Sequence, residues 1–164
     1  MSLDLPGELR SLLGVLGYTW PEADEDKLFE MGQAWLNFAT TLDRLTTSTQ
    51  AGASPVWSTN AGADITAFES WWTNENSPLA TMRDGMPAAI LTGTGLIICG
   101  TIVLALKVAV IVQLTILAIE IAQAIATATV TVGASLAEIP IFQQLTRVAV
   151  GALFDEVIST LLEA

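Results

Sequence analysis

Histidine is missing from this 164-residue chain, and with it the side chain that most often serves as general base and as nitrogen ligand to a metal. Cysteine occurs once, as Cys99 inside an apolar run. That leaves no disulfide framework and no thiolate cluster, and Cys99 reads as a small buried hydrophobe. Positive charge is scarce: six Lys and Arg against seventeen Asp and Glu give a net charge of -11. Such a chain repels phosphate backbones and anionic membrane surfaces at long range, so nucleic acid is not expected as a partner. Charge of either sign is thin, at 14% of residues against roughly 25% in soluble domains. P-loop, paired-glycine dinucleotide and G-x-S-x-G signatures are all lacking. Gly93-Thr94-Gly95 followed by Gly100 is too loosely spaced for a phosphate loop and reads as close packing between helices. The acidic group Glu22, Asp24, Glu25 and Asp26 lacks calcium-loop spacing and reads as helix capping and solvation. No catalytic residue, cofactor or metal is expected.

What the chain does have is apolar material: 52% hydrophobic residues and a mean hydropathy of +0.57, enough for a core in one domain or two small ones and too much for disorder. The opening MSLDLPGELR lacks the basic region and apolar run of a cleavable signal peptide, and the first long apolar stretch begins near Met86. Charge divides unevenly. Residues 1–90 hold twelve acids and four bases, and residues 91–164 hold five and two. The sequence therefore predicts two regions, 1–85 and 86–164, with a linker at Asp84-Gly85-Met86-Pro87.

In the first region, leucines at 9, 12, 13 and 16 predict a short amphipathic helix after Pro6, ending near Gly14 or Gly17 and packing against the main body. Acids at 24–26 mark the start of a long helix. Leu28, Met31, Trp35, Phe38, Leu42 and Leu45 follow at alternating spacings of three and four, a coiled-coil seam. Thr46 to Ser58, which contains Pro55, reads as the frayed helix end and a reversing turn. Beyond it, with Asn60 as N-cap, Ile65, Phe68, Trp72, Leu79 and Met82 continue the spacing, and Pro78 kinks or divides this helix. The expected product is an antiparallel hairpin burying Trp35, Phe38, Phe68 and Trp72.

The second region has no charge from Met86 to Leu106, then Lys107, then only Glu120 before Glu138. Its length permits a transmembrane span. However, no proline lies between Pro87 and Pro140 and no glycine between Gly100 and Gly133, so a helix over about 93–132 would run on the order of 50 Å, beyond the ~30 Å hydrocarbon core. Gln113, Glu120, Gln123, Thr127 and Thr131 fall in one arc, a polar stripe that is either the wet edge of a soluble bundle or the lining of a shared aqueous path. The β-branched run 126–132 is kept helical. A second helix over about 136–162 begins at a Ser135–Glu138 capping box or beside Pro140, and covers its predecessor through Phe142, Leu145, Val148, Ala149, Leu153, Val157 and Leu161.

At the predicted turn the chain reads Pro55-Val56-Trp57-Ser58-Thr59-Asn60-Ala61-Gly62. With that turn between two heptad helices, the chain resembles the WXG-type helical-hairpin superfamily of type VII secretion. It departs from the Trp-x-Gly hallmark by carrying Thr59 where glycine is expected, with Gly62 three residues later. LPGELRSLLGVLGYTWPEADEDKLFEMGQAW at 5–35, LALKVAVIVQLTILAIEIAQAIATA and GASLAEIPIFQQLTR are similar to the N-terminal domain of large actinobacterial secreted toxins, some relatives of which have channel or outer-membrane roles. The resemblance implies export by the type VII machinery to the cell envelope or beyond, with a small WXG-type helical partner or a homo-oligomer. The superfamily's Tyr-x-x-x-Asp/Glu signal follows the hairpin. Here the only tyrosine, Tyr18, precedes it with Glu22 four residues on, and aromatic packing on the first helix is the alternative for Tyr18.

The expected fold is thus all-α: a WXG-like hairpin packed with two further apolar helices in an elongated bundle. The expected function is a non-enzymatic targeting and interaction domain delivering a toxin; the alternative is a membrane-inserting or pore-forming channel domain. The candidate residues are the turn motif Trp57, Asn60 and Gly62, the seam Leu28, Met31, Trp35, Phe38, Leu42, Ile65, Phe68 and Trp72, and the stripe Gln113, Glu120, Gln123 and Thr127.

Overall fold

A computed structural model describes residues 2–131 and 133–163. The fold is all-α: α1 (Gly7–Val15), α2 (Glu25–Thr59), α3 (Ala63–Thr73), α4 (Pro78–Thr127) and, after a 3-10 turn at Ala134–Glu138, α5 (Ile139–Glu163). The chain divides into two compact units, Lys27–Ile98 on one hand and Met1–Asp26 with Cys99–Ala164 on the other. The linker expected at Asp84–Pro87 lies inside α4, which absorbs Pro87 in its interior. An interior proline costs a ladder hydrogen bond, and the helix packs on either side of it: Ala89 is buried, and a Cβ added at Gly85 would touch Leu42 at 3.5 Å.

In the unit Lys27–Ile98, α2 continues to Thr59 through Pro55, so the reversal predicted within 46–58 falls instead at Asn60–Gly62. Pro55 deprives the Ala51 carbonyl of its donor near the helix end, where few bonds depend on it. The Thr59 hydroxyl donates to the Pro55 carbonyl at 2.6 Å and the Asn60 amide to the Val56 carbonyl at 2.9 Å. Asn60 therefore finishes α2 and does not cap α3. The position before α3 belongs to Gly62, at φ +145°, a backbone region that side chains disfavour. Pro78 stands at the first position of α4, where its missing N–H is harmless. Ser77 caps it, its Oγ accepting from the Ala80 amide at 3.1 Å.

The helices α2 and α4 meet through small residues. A Cβ on Gly32 would lie 2.8 Å from the Gly93 carbonyl oxygen and 2.7 Å from an Ile97 side-chain atom. One on Gly93 would lie 2.8 Å from the Gly32 carbonyl. Ala39, Ala53 and Ala89, with Leu79, are the buried apolar residues of this unit.

In the other unit α1 ends in a two-bond C-terminal cap. The Gly17 amide donates to Gly14 and the Tyr18 amide to Leu13, with Gly17 at φ +86°, the left-handed residue this cap requires. Leu5, Leu13 and Leu16 pack on Leu106, Val110, Leu114 and Leu117 of α4 and on Val150 of α5. Tyr18 stacks on Phe154 of α5 at 5.5 Å and its hydroxyl donates to the Arg147 carbonyl at 3.3 Å, so its partner is α5, not α1. A Cβ at Gly151 would sit 2.5 Å from the Tyr18 hydroxyl oxygen, and only glycine admits the ring there.

α4 ends at Thr127, five residues before the predicted 132, and Val132 lies outside the described residues. The Thr127 and Thr131 hydroxyls bond back to the carbonyls of Gln123 and Thr127, and Gly133 at φ +84° turns the chain. Ser135 does not cap α5. Its hydroxyl donates to the Ala124 carbonyl at 2.7 Å and ties the turn to α4. α5 packs through Phe142, Val150, Leu153, Phe154 and Val157, whereas Leu145, Val148 and Leu161, expected on that stripe, are exposed.

Candidate functional site

Two features carry chemistry. The first is a buried ion pair. Lys107 is the only charged residue between Met86 and Ile119, and it is 1% exposed. A charge in such a place persists only with its hydrogen-bonding groups satisfied, and all three protons of its ammonium find acceptors: Glu25 Oε2 at 2.6 Å, the Ala23 carbonyl at 2.7 Å and Ser2 Oγ at 2.8 Å. Ser2 in turn donates to Glu25 Oε2 at 2.9 Å, and the Leu3 amide donates to Glu25 Oε1. Lys107 Nζ also lies 5.8 Å from the centre of the Trp20 ring. Burial alone would raise the Glu25 carboxyl, but the hydrogen bonds from Lys107, the Leu3 backbone and Ser2 outweigh it and bring its pKa from 4.5 down to about 2.

Acid spacing alone assigns Glu25 to capping with its neighbours, and does not reveal this pair. The legible signal was Lys107 itself: a lone lysine in so apolar a run needs a buried counter-charge, and the acids at 22–26 are the nearest dense supply in the N-terminal region. Lys107 also occupies the inward seam of α4. Val103, Lys107, Val110, Leu114, Leu117 and Ala124 are all buried, at spacings of a heptad seam with position 121 half-buried between them.

The second feature is an exposed apolar stripe on α2. Met31, Trp35 and Phe38 are 52%, 39% and 47% exposed, with Trp35 edge-on to Phe38 at 5.9 Å. With Ala34 they line a shallow apolar depression of about 360 Å³. The hairpin seam is corrected here: Trp35 and Phe38 are not buried against α3. The glycine crossing turns the Gly32–Leu36–Ala39 face of α2 inward, which leaves the face with Met31, Trp35 and Phe38 in solvent. Leu28 and Leu42 are half-buried at its margins.

The turn motif and the rest of the seam form a separate aromatic group. Trp57 lies 5.9 Å from Phe68, and Phe68 lies 5.7 Å from Trp72, whose indole N–H donates to Gln50 at 3.0 Å. Ile65 is half-buried, and Asn60 and Gly62 are exposed. Along the stripe of α4, Gln113 and Glu120 are half-buried while Gln123 and Thr127 are exposed. Among the described residues, no group of three or more Cys, Asp or Glu could hold a metal. The stretch Ala63–Thr127 contains an 18-residue window of mean hydropathy 2.6, long and apolar enough to cross a membrane, with 33% of the window buried.

These observations define an all-helical protein whose recognisable chemistry is a buried structural ion pair and solvent-facing apolar surface. The chain matches the WXG100-like domain over residues 4–148 and belongs to that family, a group of type VII secretion-associated helical proteins that are not typically enzymes. No curated protein and no solved structure is significantly similar to it.

Proposed function

We propose that this chain is a non-enzymatic targeting and interaction domain of a type VII substrate, the N-terminal delivery module of a secreted toxin that leaves the cell, or reaches its envelope, by the type VII route. The observation that carries the reading is the family match over 4–148. The α2–α3 reversal beside Trp57 supports it. The exposed Met31–Trp35–Phe38 stripe is the surface for a small WXG-type helical partner, whose apolar helix face would cover what this chain leaves in water. A second copy of the chain is the competing occupant. In a host with a working type VII machine, deletion of residues 24–85 is expected to abolish export of the tagged protein, and Trp57→Ala to reduce it severalfold. Export unchanged by the deletion would overturn the reading.

A second reading, a membrane-inserting domain, rests on the apolar window within Ala63–Thr127. Helices that are apolar all round belong either in a large core or in lipid, and beside its buried seam α4 exposes Val108, Val112, Ile116 and Ile119. Flotation with zwitterionic vesicles and release of trapped dye test it; a chain that stays monodisperse without detergent and leaves vesicles intact refutes it.

A further inference from the structure

The polar groups around Lys107 share one origin. Ser2, Ala23 and Glu25 all belong to the segment that precedes or opens α2, and so does Trp20 beneath the ammonium. The same segment supplies Leu5, Leu13 and Leu16, which cover Leu106, Val110, Leu114 and Leu117 of α4. Residues 2–25 therefore do two things to one stretch of helix: they shield its apolar seam, and they neutralise the one charge within it.

The charge pair itself is almost wholly buried, but the segment is not packed tightly on every side of it. A cavity of about 1060 Å³ opens there, lined by Ser2, Arg10, Tyr18, Trp20 and Glu22 from the segment and by Lys107 from α4. The segment is held to α4 both by the polar set around Lys107 Nζ and by its leucines, Leu5 close to Ser2 and Leu13 and Leu16 further along. On the opposite face of α4 from the covered seam lies the exposed row Val108, Val112, Ile116 and Ile119. Lifting the segment would bare the part of the seam that α5 does not cover and leave a helical stretch apolar on two opposite sides, with Lys107 long enough to carry its ammonium to a headgroup region.

We propose that residues 2–25 are a releasable clasp, fastened through the Glu25–Lys107 pair, that withholds the apolar seam of α4 from a lipid bilayer. This inference rests on the second, membrane-inserting reading. The bilayer it commits to is a zwitterionic one, since a chain of net charge -11 is repelled from anionic surfaces.

The test uses the full chain and three variants, Glu25→Lys, Lys107→Glu and the double exchange, each checked for helix content by circular dichroism. Flotation with phosphatidylcholine vesicles at neutral pH is read beside hydrogen exchange of the α1 amides. Each single variant places like charges together and is expected to float at least fivefold more than the wild type, with α1 amides exchanging at least tenfold faster. The double exchange restores an attractive pair, though it mismatches the Ala23 carbonyl and the Leu3 amide, and is expected to return both readouts part of the way to wild type, which a merely unfolded variant would not do. If the double exchange floats as the singles do, or if α1 exchange does not rise in the singles, the fastener is refuted. A wild type that already floats as fully as the singles refutes the clasp while leaving the membrane reading intact. Singles with faster α1 exchange but no flotation refute the membrane reading, and this inference with it.

Discussion

The two units solve the same packing problem with different residues. The unit that contains α1 and α5 buries leucines and valines, namely Leu5, Leu13, Leu16, Leu106, Val110, Leu114, Leu117 and Val150, around a seam that includes a charge pair. The unit Lys27–Ile98 buries Ala39, Ala53 and Ala89 with Leu79, brings its helices together at Gly32 and Gly93, and leaves Met31, Trp35 and Phe38 in solvent. Large side chains at a helix contact hold the axes apart, whereas glycine lets backbones touch. The second arrangement gains close backbone contact but buries less aliphatic surface, so its aromatic residues remain available to a partner. Both units leave apolar side chains in solvent, aliphatic ones such as Val108, Val112, Ile116 and Ile119 in the first and the Met31, Trp35 and Phe38 stripe in the second.

This contrast predicts a ranking of substitutions. Lys107→Ala leaves Glu25 buried without its partner and is expected to cost about 3–5 kcal/mol of stability in urea titration; a loss under about 1 kcal/mol would place the pair outside the fold's support. The same pair gives an acid limit. The Glu25 carboxyl titrates lower in the folded chain than its ordinary 4.5, at about 2, so its contribution is complete above pH 4.5, falls away as pH drops toward 2, and is gone below that. Glu25→Gln should flatten the stability profile in that window, measured by thermal melts from pH 2 to 6.

In the other unit the sensitive position is the glycine crossing. Gly93→Ala puts a methyl 2.8 Å from the Gly32 carbonyl and is expected to cost about 1–3 kcal/mol, despite alanine's better helix propensity. A stabilising result would show that the helices can move apart freely. The smallest effect belongs to the exposed stripe. Trp35→Ala or Phe38→Ala should change stability by less than about 0.5 kcal/mol, yet weaken capture of a helical partner at least tenfold in a pull-down titration. A large stability loss would mean that these rings belong to the chain's own core.

Much of the secondary structure was legible because its signals are local. The α1 leucines, the acids that open α2 and the long apolar run of α4 could be read from spacing and end signals alone. The misplaced boundaries also have local causes. Pro55 and Pro87 signal interruptions by local rules, yet both lie inside helices, and near a helix end a proline costs few bonds. The threonine-rich end of α4 stops short of its expected bound because threonine hydroxyls bond back to backbone carbonyls, a competition that leaves no periodicity to see.

The inward faces were harder. Leu28, Met31, Trp35, Phe38, Leu42 and Leu45 form the most regular pattern in the sequence, yet α2 packs through Gly32, Leu36 and Ala39. A heptad of large residues marks a surface able to bind, without saying whether the occupant lies in the same chain. In α4 the difficulty was the reverse: with apolar residues on every side, the seam through Val103, Lys107, Val110, Leu114 and Leu117 has no contrast by which to be recognised.

By itself the sequence determined that the chain is helical, that it has no histidine and a single cysteine, and that its second half carries an apolar stretch of membrane length, because each of these follows from composition or short-range spacing. Only the tertiary structure decided which face of each helix turns inward, and that Glu25 is the counter-ion of Lys107, eighty-two residues away. Neither can be read locally. A glycine crossing depends on two helices meeting at one level, and a buried charge is satisfied by whatever acid the fold delivers to it.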